Sequence, residues 1–200
     1  LDLPDIASLN IYSEWYFSDK PYQKDFKETI DWMRNSGAED KPIIMSEFGG
    51  AAIYGFREPQ NRKWSEERQA EIIDNCLELY MNSEETAGVF IWQFADCQVT
   101  EEGDWYKTRV RCHNNKGVYD EYRRPKLAAE IVRKHCDRIA FAHIRNVKHF
   151  ENGDFRESSH RDCDGDTGIL EILRAYHDCG FEGYIRPDHG RHLWNEGPGN

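Results

Sequence analysis

The sequence predicts an α/β chain of parallel βα units, with about five strands and intervening helices. Three observations carry that prediction. Short apolar segments alternate with segments of helical periodicity along the whole chain. The apolar segments show little polar alternation, as expected of strands covered on both faces. Polar, chemically able residues stand at the C-terminal ends of these segments: Tyr12, Glu47, Trp92 with Asp96, His143 and Asp188. Parallel βα folds place their ligand sites at that end of the strands.

Residues 6–12 read as the first strand. Phe26, Ile30 and Met33 then recur at helical spacing, and Gly37 follows as a stop. Residues 42–46 form a short apolar strand that runs into Glu47, Phe48, Gly49 and Gly50. Ser65 suits the N-cap of the next helix, with Glu66 and Glu67 where the helix dipole favours acids. Ile73, Leu77 and Tyr80, widened by Ile72 and Cys76, make its buried stripe. Residues 88–94 read as the third strand, and residues 98–116 as a polar loop. Pro125 suits the first turn of a helix carrying Leu127, Ala128, Ile131 and Val132. Residues 139–144 are a fourth strand, followed by an Asp- and Gly-rich loop over about 151–168. Ile169, Ile172, Leu173 and Tyr176 mark a helix ended by Gly180, and residues 183–186 are a last strand.

The chain has 200 residues, enough for one domain or two small ones. Its 6 Trp, 10 Tyr and 10 Phe exclude a disordered chain. A net charge of −11 argues against nucleic acid and anionic membranes as partners. No apolar run approaches the roughly 18 residues of a membrane span. The first residue is Leu1, and no signal-like segment follows, so a piece of a longer protein is expected. The 6 cysteines, an even number, permit disulfides, but a well-mixed chain of this size does not need them. They read as reduced thiols in a cytoplasmic protein. Histidine is unevenly spread: His113 and His135 precede residue 137, whereas His143, His149, His160, His177, His189 and His192 follow it. Imidazole is the common metal ligand and proton carrier near neutral pH, so the tail carries its own chemistry.

In residues 1–135, Glu47 is a carboxylate fixed at a strand end, with glycines beside it that leave room for a ligand. A retaining glycosidase needs such a nucleophile and a second carboxyl group about 5–5.5 Å away. Asn114 and Lys116 offer an amide and an ammonium suited to an anionic group. Tyr12, Tyr16 and Trp92 supply aromatic surfaces for a sugar, and Trp15 suits either a sugar or the core.

The segments Asn10-Ile11-Tyr12-Ser13-Glu14-Trp15-Tyr16, Met45-Ser46-Glu47-Phe48-Gly49, Ile91-Trp92-Gln93-Phe94-Ala95-Asp96 and Asn114-Asn115-Lys116-Gly117 occur in that order, before Arg124-Pro125-Lys126. Together they resemble the C-terminal part of a β-glucuronidase-type enzyme of glycoside hydrolase family 2. The resemblance implies the last three strands of a (β/α)₈ TIM barrel. It implies Glu47 as nucleophile, Asn114 and Lys116 as readers of the sugar carboxylate, and Tyr12, Tyr16 and Trp92 in the sugar pocket. The family's acid/base is the Glu of an Asn-Glu-Pro motif on an earlier strand. This sequence has no such motif, and Asn195-Glu196-Gly197-Pro198 carries an inserted Gly. Loss of acid assistance alone is worth about 10²–10⁴ in rate.

In the tail, His143 and the pair Asp188-His189 close two neighbouring strands, where they can share a divalent metal, and Arg186 and Arg191 can hold a carboxylate. The run from Asp137 to Val147, Glu157-Ser158-Ser159-His160 and the run from Gly183 to Arg191 resemble mannonate dehydratase. That resemblance implies another (β/α) barrel, which takes D-mannonate to 2-dehydro-3-deoxy-D-gluconate with Mn²⁺ or Fe²⁺. It implies His143 and Asp188 as metal ligands, with His189 as a catalytic residue and Arg186 beside the substrate. The family's further His and Cys ligands lie on earlier strands, and Cys136 precedes its strand instead of closing it.

The expectation is therefore a join near residues 131–137. Residues 1–135 form a C-terminal hydrolase portion and residues 136–200 a dehydratase-like portion. Both are directed at uronic-acid-type sugars, and the barrel is incomplete with an open sheet. Each half lacks catalytic parts, so little activity is expected. Three readings stand: a hydrolase lineage marked by Glu47, a metal-dependent lyase lineage marked by His143 and Asp188, and a non-catalytic fragment.

Overall fold

A computed structural model describes residues 4–16, 20–99, 109–135, 141–144, 147–151, 155–157, 168–178 and 180–187. The chain divides into two compact units, Leu1–Val132 and Arg133–Asn200.

The first unit is a βαβαβ arrangement. Strands β1 (Ala7–Asn10), β2 (Ile43–Phe48) and β3 (Thr86–Ile91) form one parallel sheet in that order. Helix α1 (Tyr22–Arg34) links β1 to β2, and α2 (Glu66–Met81) links β2 to β3. Each helix lays one stripe on the sheet. Phe26, Ile30 and Met33 of α1 are buried, as are Ile72, Ile73, Cys76, Leu77 and Tyr80 of α2. They meet Ile43, Met45 and Phe48 of β2 in one core. The rings of Phe48 and Tyr80 pack edge to face, 5.3 Å apart.

The strands are not covered on both faces. Along β2, Ile43, Met45 and Phe48 are buried, whereas Ile44, Ser46 and Glu47 are half-buried. In β3, Phe90 is 45 % exposed. The helices cover one face only, and β1 and β3 are the edges of this sheet. The sequence pattern is that of a sheet packed on both sides, but the described residues supply one layer of helix.

Ser65 is the N-cap of α2, and its hydroxyl accepts from the Arg68 N–H at 3.1 Å. Glu66 does more than meet the helix dipole. It is buried, accepting from the Gly55 N–H at 2.7 Å and the Leu127 N–H at 2.8 Å. Helix α3 (Leu127–Arg133) therefore starts two residues after Pro125. Pro125 instead bridges Tyr119, and Lys126 is drawn into the interior. The polar loop over 98–116 contains a short antiparallel pair, β4 (Cys97–Gln98) with β5 (His113–Asn114), and a 3₁₀ turn at Val110–Cys112.

In the second unit, β6 (Phe141–Ile144) pairs in parallel with β9 (Tyr184–Pro187). The antiparallel pair β7 (Val147–His149) and β8 (Phe155–Glu157) lies between them in the chain. Helix α4 (Ile169–Asp178) precedes Gly180, whose φ of +77° suits a helix-ending turn that glycine enters without strain. Its apolar stripe is not deeply buried, since Leu173 is 36 % exposed. The five parallel-paired strands thus fall into sheets of three and two, and the described residues form no closed barrel.

Deleting the buried Phe48 ring is expected to be severe. Phe48→Ala should lower unfolding stability by about 3–5 kcal/mol, read from denaturant melts followed by circular dichroism. Glu66→Ala leaves the Gly55 and Leu127 N–H groups without their acceptor. It should cost about 1–3 kcal/mol per orphaned donor in the same assay.

Candidate active site

Glu47 sits where β2 meets both neighbours. Its carbonyl accepts from the Ile11 N–H at 2.8 Å, and the Phe48 carbonyl accepts from the Trp92 N–H at 2.9 Å. A shift in register between Leu9 and Asn10 sets Asn10 opposite Glu47. These bonds gather Tyr12, Glu47 and Trp92 at one end of the sheet. Gly49 follows with φ +147°, and a β-carbon there would lie 2.7 Å from the Trp92 carbonyl oxygen. Only glycine lets the two segments approach so closely.

The Tyr12 phenol donates to Glu47 Oε2 at 2.7 Å. Burial, with the Glu47 carboxylate adding to it, holds that phenol protonated far above its ordinary range. Tyr12 is thus a donor fixed on the carboxylate. Its ring meets that of Tyr16 edge-on at 5.3 Å. The Tyr16 hydroxyl in turn accepts from Lys116 Nζ at 2.8 Å. Burial pushes the Tyr16 phenol up, but the Lys116 bond and charge, together with Arg109, bring it below its usual value.

Lys116 is 1 % exposed. Its ammonium lies 5.3 Å from the Tyr12 ring centre and 5.0 Å from that of Tyr16. Burial lowers its pKa, and Tyr16 and Glu47 only partly offset this. Glu47, Tyr12, Tyr16 and Lys116 form one run of contacts, with a hydrogen bond at each end and the edge-on ring contact of Tyr12 and Tyr16 between them. A carboxylate stands at one end of it and an ammonium at the other.

Asn114 is half-buried on β5, with its Oδ1 at 3.5 Å from Arg109 Nη1. Trp92 is 38 % exposed. Trp15 belongs to the core, 3 % exposed and edge-on to Trp64 at 5.1 Å. Asp96 does not face the site either. It is buried beneath the Asn115–Gly117 loop, on Lys126.

Sequence reasoning missed Arg109, whose charge reaches Tyr12, Tyr16 and Lys116. No spacing rule marks it, because the 3₁₀ turn and the β4–β5 pair bring it back to the site. It also missed Lys126, which reads as a surface charge beside a proline.

In the second unit, the β6–β9 register sets His143 opposite Arg186. Asp188 follows two residues after Arg186, and Asp188, His189 and Cys136 lie outside the described residues. Among the described residues, no group of three or more His, Cys, Asp or Glu side chains is placed to hold a metal ion. No helix of the described residues is long and apolar enough to cross a membrane.

Comparison with known proteins matches each part of the chain. Residues 2–141 match the glycosyl hydrolases family 2 TIM barrel domain, and residues 104–200 match D-mannonate dehydratase. A mannonate dehydratase of Shouchella clausii is 55 % identical over 85 residues, which is 42 % of this chain and 23 % of that protein. The structure of a family 2 β-galacturonidase from Eisenbergiella tayi bound to galacturonate is 43 % identical. It has a TM-score of 0.61 and covers 64 % of this chain and 23 % of that one. A β-glucuronidase from Ruminococcus gnavus in complex with uronic deoxynojirimycin is 31 % identical. It has a TM-score of 0.51 and covers 64 % of this chain and 22 % of that one. The chain thus spans less than a quarter of the length of these relatives. It carries a mannonate dehydratase-like segment in its C-terminal part, and through residues 2–141 it belongs to the glycosyl hydrolase family 2 TIM-barrel family.

Proposed function

We propose that the first unit is a uronic-acid-sugar site of the retaining hydrolase type, with Glu47 as nucleophile and Lys116 with Asn114 as readers of the sugar carboxylate. The observation that carries this is the run of contacts from Glu47 through the packed rings of Tyr12 and Tyr16 to Lys116. A carboxylate nucleophile must be held and oriented, and the Tyr12 hydrogen bond does both. A buried ammonium among aromatic rings is a poor place for a neutral hydroxymethyl group and a good one for a carboxylate. Trp92, Tyr12 and Tyr16 give the sugar its aromatic wall. The solved relatives named above hold galacturonate and uronic deoxynojirimycin, which supports the same ligand class. These residues bind and orient such sugars, and hydrolysis also needs the acid carboxyl of an Asn-Glu-Pro motif, which these 200 residues do not carry.

For the second unit, the reading is metal-assisted dehydration of a sugar acid such as D-mannonate. His143 and Asp188 would hold Mn²⁺ or Fe²⁺, with Arg186 and His189 beside the substrate. The register that sets His143 opposite Arg186 favours it, as does the name of the Shouchella relative. Imidazole and carboxylate are suitable donors for either ion, which when bound acts as a Lewis acid. The join of the two parts lies near residue 135. We place the protein in the cytoplasm, in keeping with the free thiols of Cys76, Cys97 and Cys112.

Three measurements test this. By calorimetry, the full chain should bind uronic deoxynojirimycin more tightly than deoxynojirimycin. Lys116→Met should abolish that preference, and its retention in the variant overturns the assignment. Protonated Lys116 is the binding form and its pKa is lowered by burial. Uronate affinity should therefore fall as pH rises through that lowered value, while neutral-sugar affinity does not follow. For the second unit, Mn²⁺ should raise the melting temperature, and His143→Ala should remove the shift. A melt indifferent to Mn²⁺ overturns the metal reading.

A further inference from the structure

We infer that Lys126 is a positioning residue for the uronate-reading Lys116, acting from the interior with Asp96. The inference rests on the uronate reading of the first unit.

Lys126 reaches inward from the residue before α3, and its side chain is fully buried. Its ammonium donates to the Ala52 carbonyl at 2.7 Å, to Asp96 Oδ1 at 2.8 Å and to the Asn115 carbonyl at 3.1 Å. All three N–H donors of the group are therefore used. Ala52 lies five residues after Glu47, Asp96 four residues after Trp92, and Asn115 directly before Lys116. One ammonium thus joins the three segments that carry the nucleophile, the aromatic wall and the carboxylate reader.

The Lys116 backbone is pinned on both sides by this arrangement. Asp96 Oδ1 also accepts from the Gly117 N–H at 2.8 Å. Gln69 Nε2 donates to the Gly117 carbonyl at 3.0 Å, and the Gln93 N–H donates to the Lys116 carbonyl at 3.1 Å. The loop is so close to the end of the third strand that a β-carbon on Gly117 would lie 2.2 Å from the Asp96 nitrogen.

Gln69 shows that a neutral amide on α2 is enough to cap carbonyls in this interior. A buried ammonium with a buried carboxylate is an expensive way to hold a loop. Its distinctive property is reach with three donors, which lets one atom fix three segments at once. Lys116 itself ends in a flexible stem, so the direction of its ammonium depends on a backbone that does not move.

The test uses the full chain and the pair of ligands that differ only in carboxylate against hydroxymethyl. Lys126→Met alone leaves Asp96 buried without its cation, so the double variant Asp96→Leu, Lys126→Met is measured alongside it. The preference for uronic deoxynojirimycin over deoxynojirimycin is expected to fall about tenfold to a hundredfold, the scale of a hydrogen bond to a charged group. Affinity for deoxynojirimycin itself is expected to fall less, because Lys126 and Asp96 bond directly to the residues on either side of Lys116 but meet the segments of Trp92 and Glu47 only four or five residues further along. If both affinities fall in parallel, or the preference survives in a folded variant, Lys126 is structural only and the inference is overturned. It is also overturned if neither variant folds cooperatively, since the pair then holds the fold and not the reader. A wild-type chain that shows no uronate preference instead overturns the uronate reading, and the inference with it.

Discussion

The ammonium of Lys126 is the point on which the site of the first unit rests. It lies in the interior, bonded to Asp96 and to the carbonyls of Ala52 and Asn115. Burial alone lowers the pKa of the lysine and raises that of the aspartate, and each partner opposes the shift of the other. Such a pair adds little net stability compared with apolar residues of the same shape. What it imposes is geometry, because a charge left without its partner in that interior is costly and the three segments around it are held together.

Glu66 acts in the same way from the other side. Its two carboxylate oxygens accept from backbone groups of the Gly55 loop and of α3. Gln69, one turn further along α2, holds the carbonyls of Gly50 and Gly117. The first turn of α2 is therefore not a solvated helix start but the support under the loops of the site. A buried polar residue on a helix is explained by the backbone groups it satisfies. Here those groups belong to segments up to 61 residues away in sequence.

Charge is graded across the site. Glu47 is half-buried and receives one phenol, whereas Lys116 is enclosed by rings and donates to the Tyr16 hydroxyl. A sugar with a carboxylate substituent would bring an anion to that ammonium, which is the physical basis of the uronate proposal. Arg109, arriving from the 3₁₀ turn, adds a second positive charge on the same side.

By itself the sequence determined the alternation of strands and helices, the N-cap at Ser65, the residues facing the core and the motifs around Glu47 and Asn114–Lys116. All of these are local: periodicity, capping and short-range residue patterns are written into neighbouring positions. Only the tertiary structure decided that the five strands fall into two sheets, that Trp15 is core and that Asp96 lies beneath the site. It alone showed that Lys126 is buried and that Arg109 joins the site. Those outcomes depend on which distant segments share an unpaired donor or acceptor. A charged residue beside a proline carries no mark of its partners 11, 30 and 74 positions away. Burial of that charge becomes favourable only once all three are assembled around it.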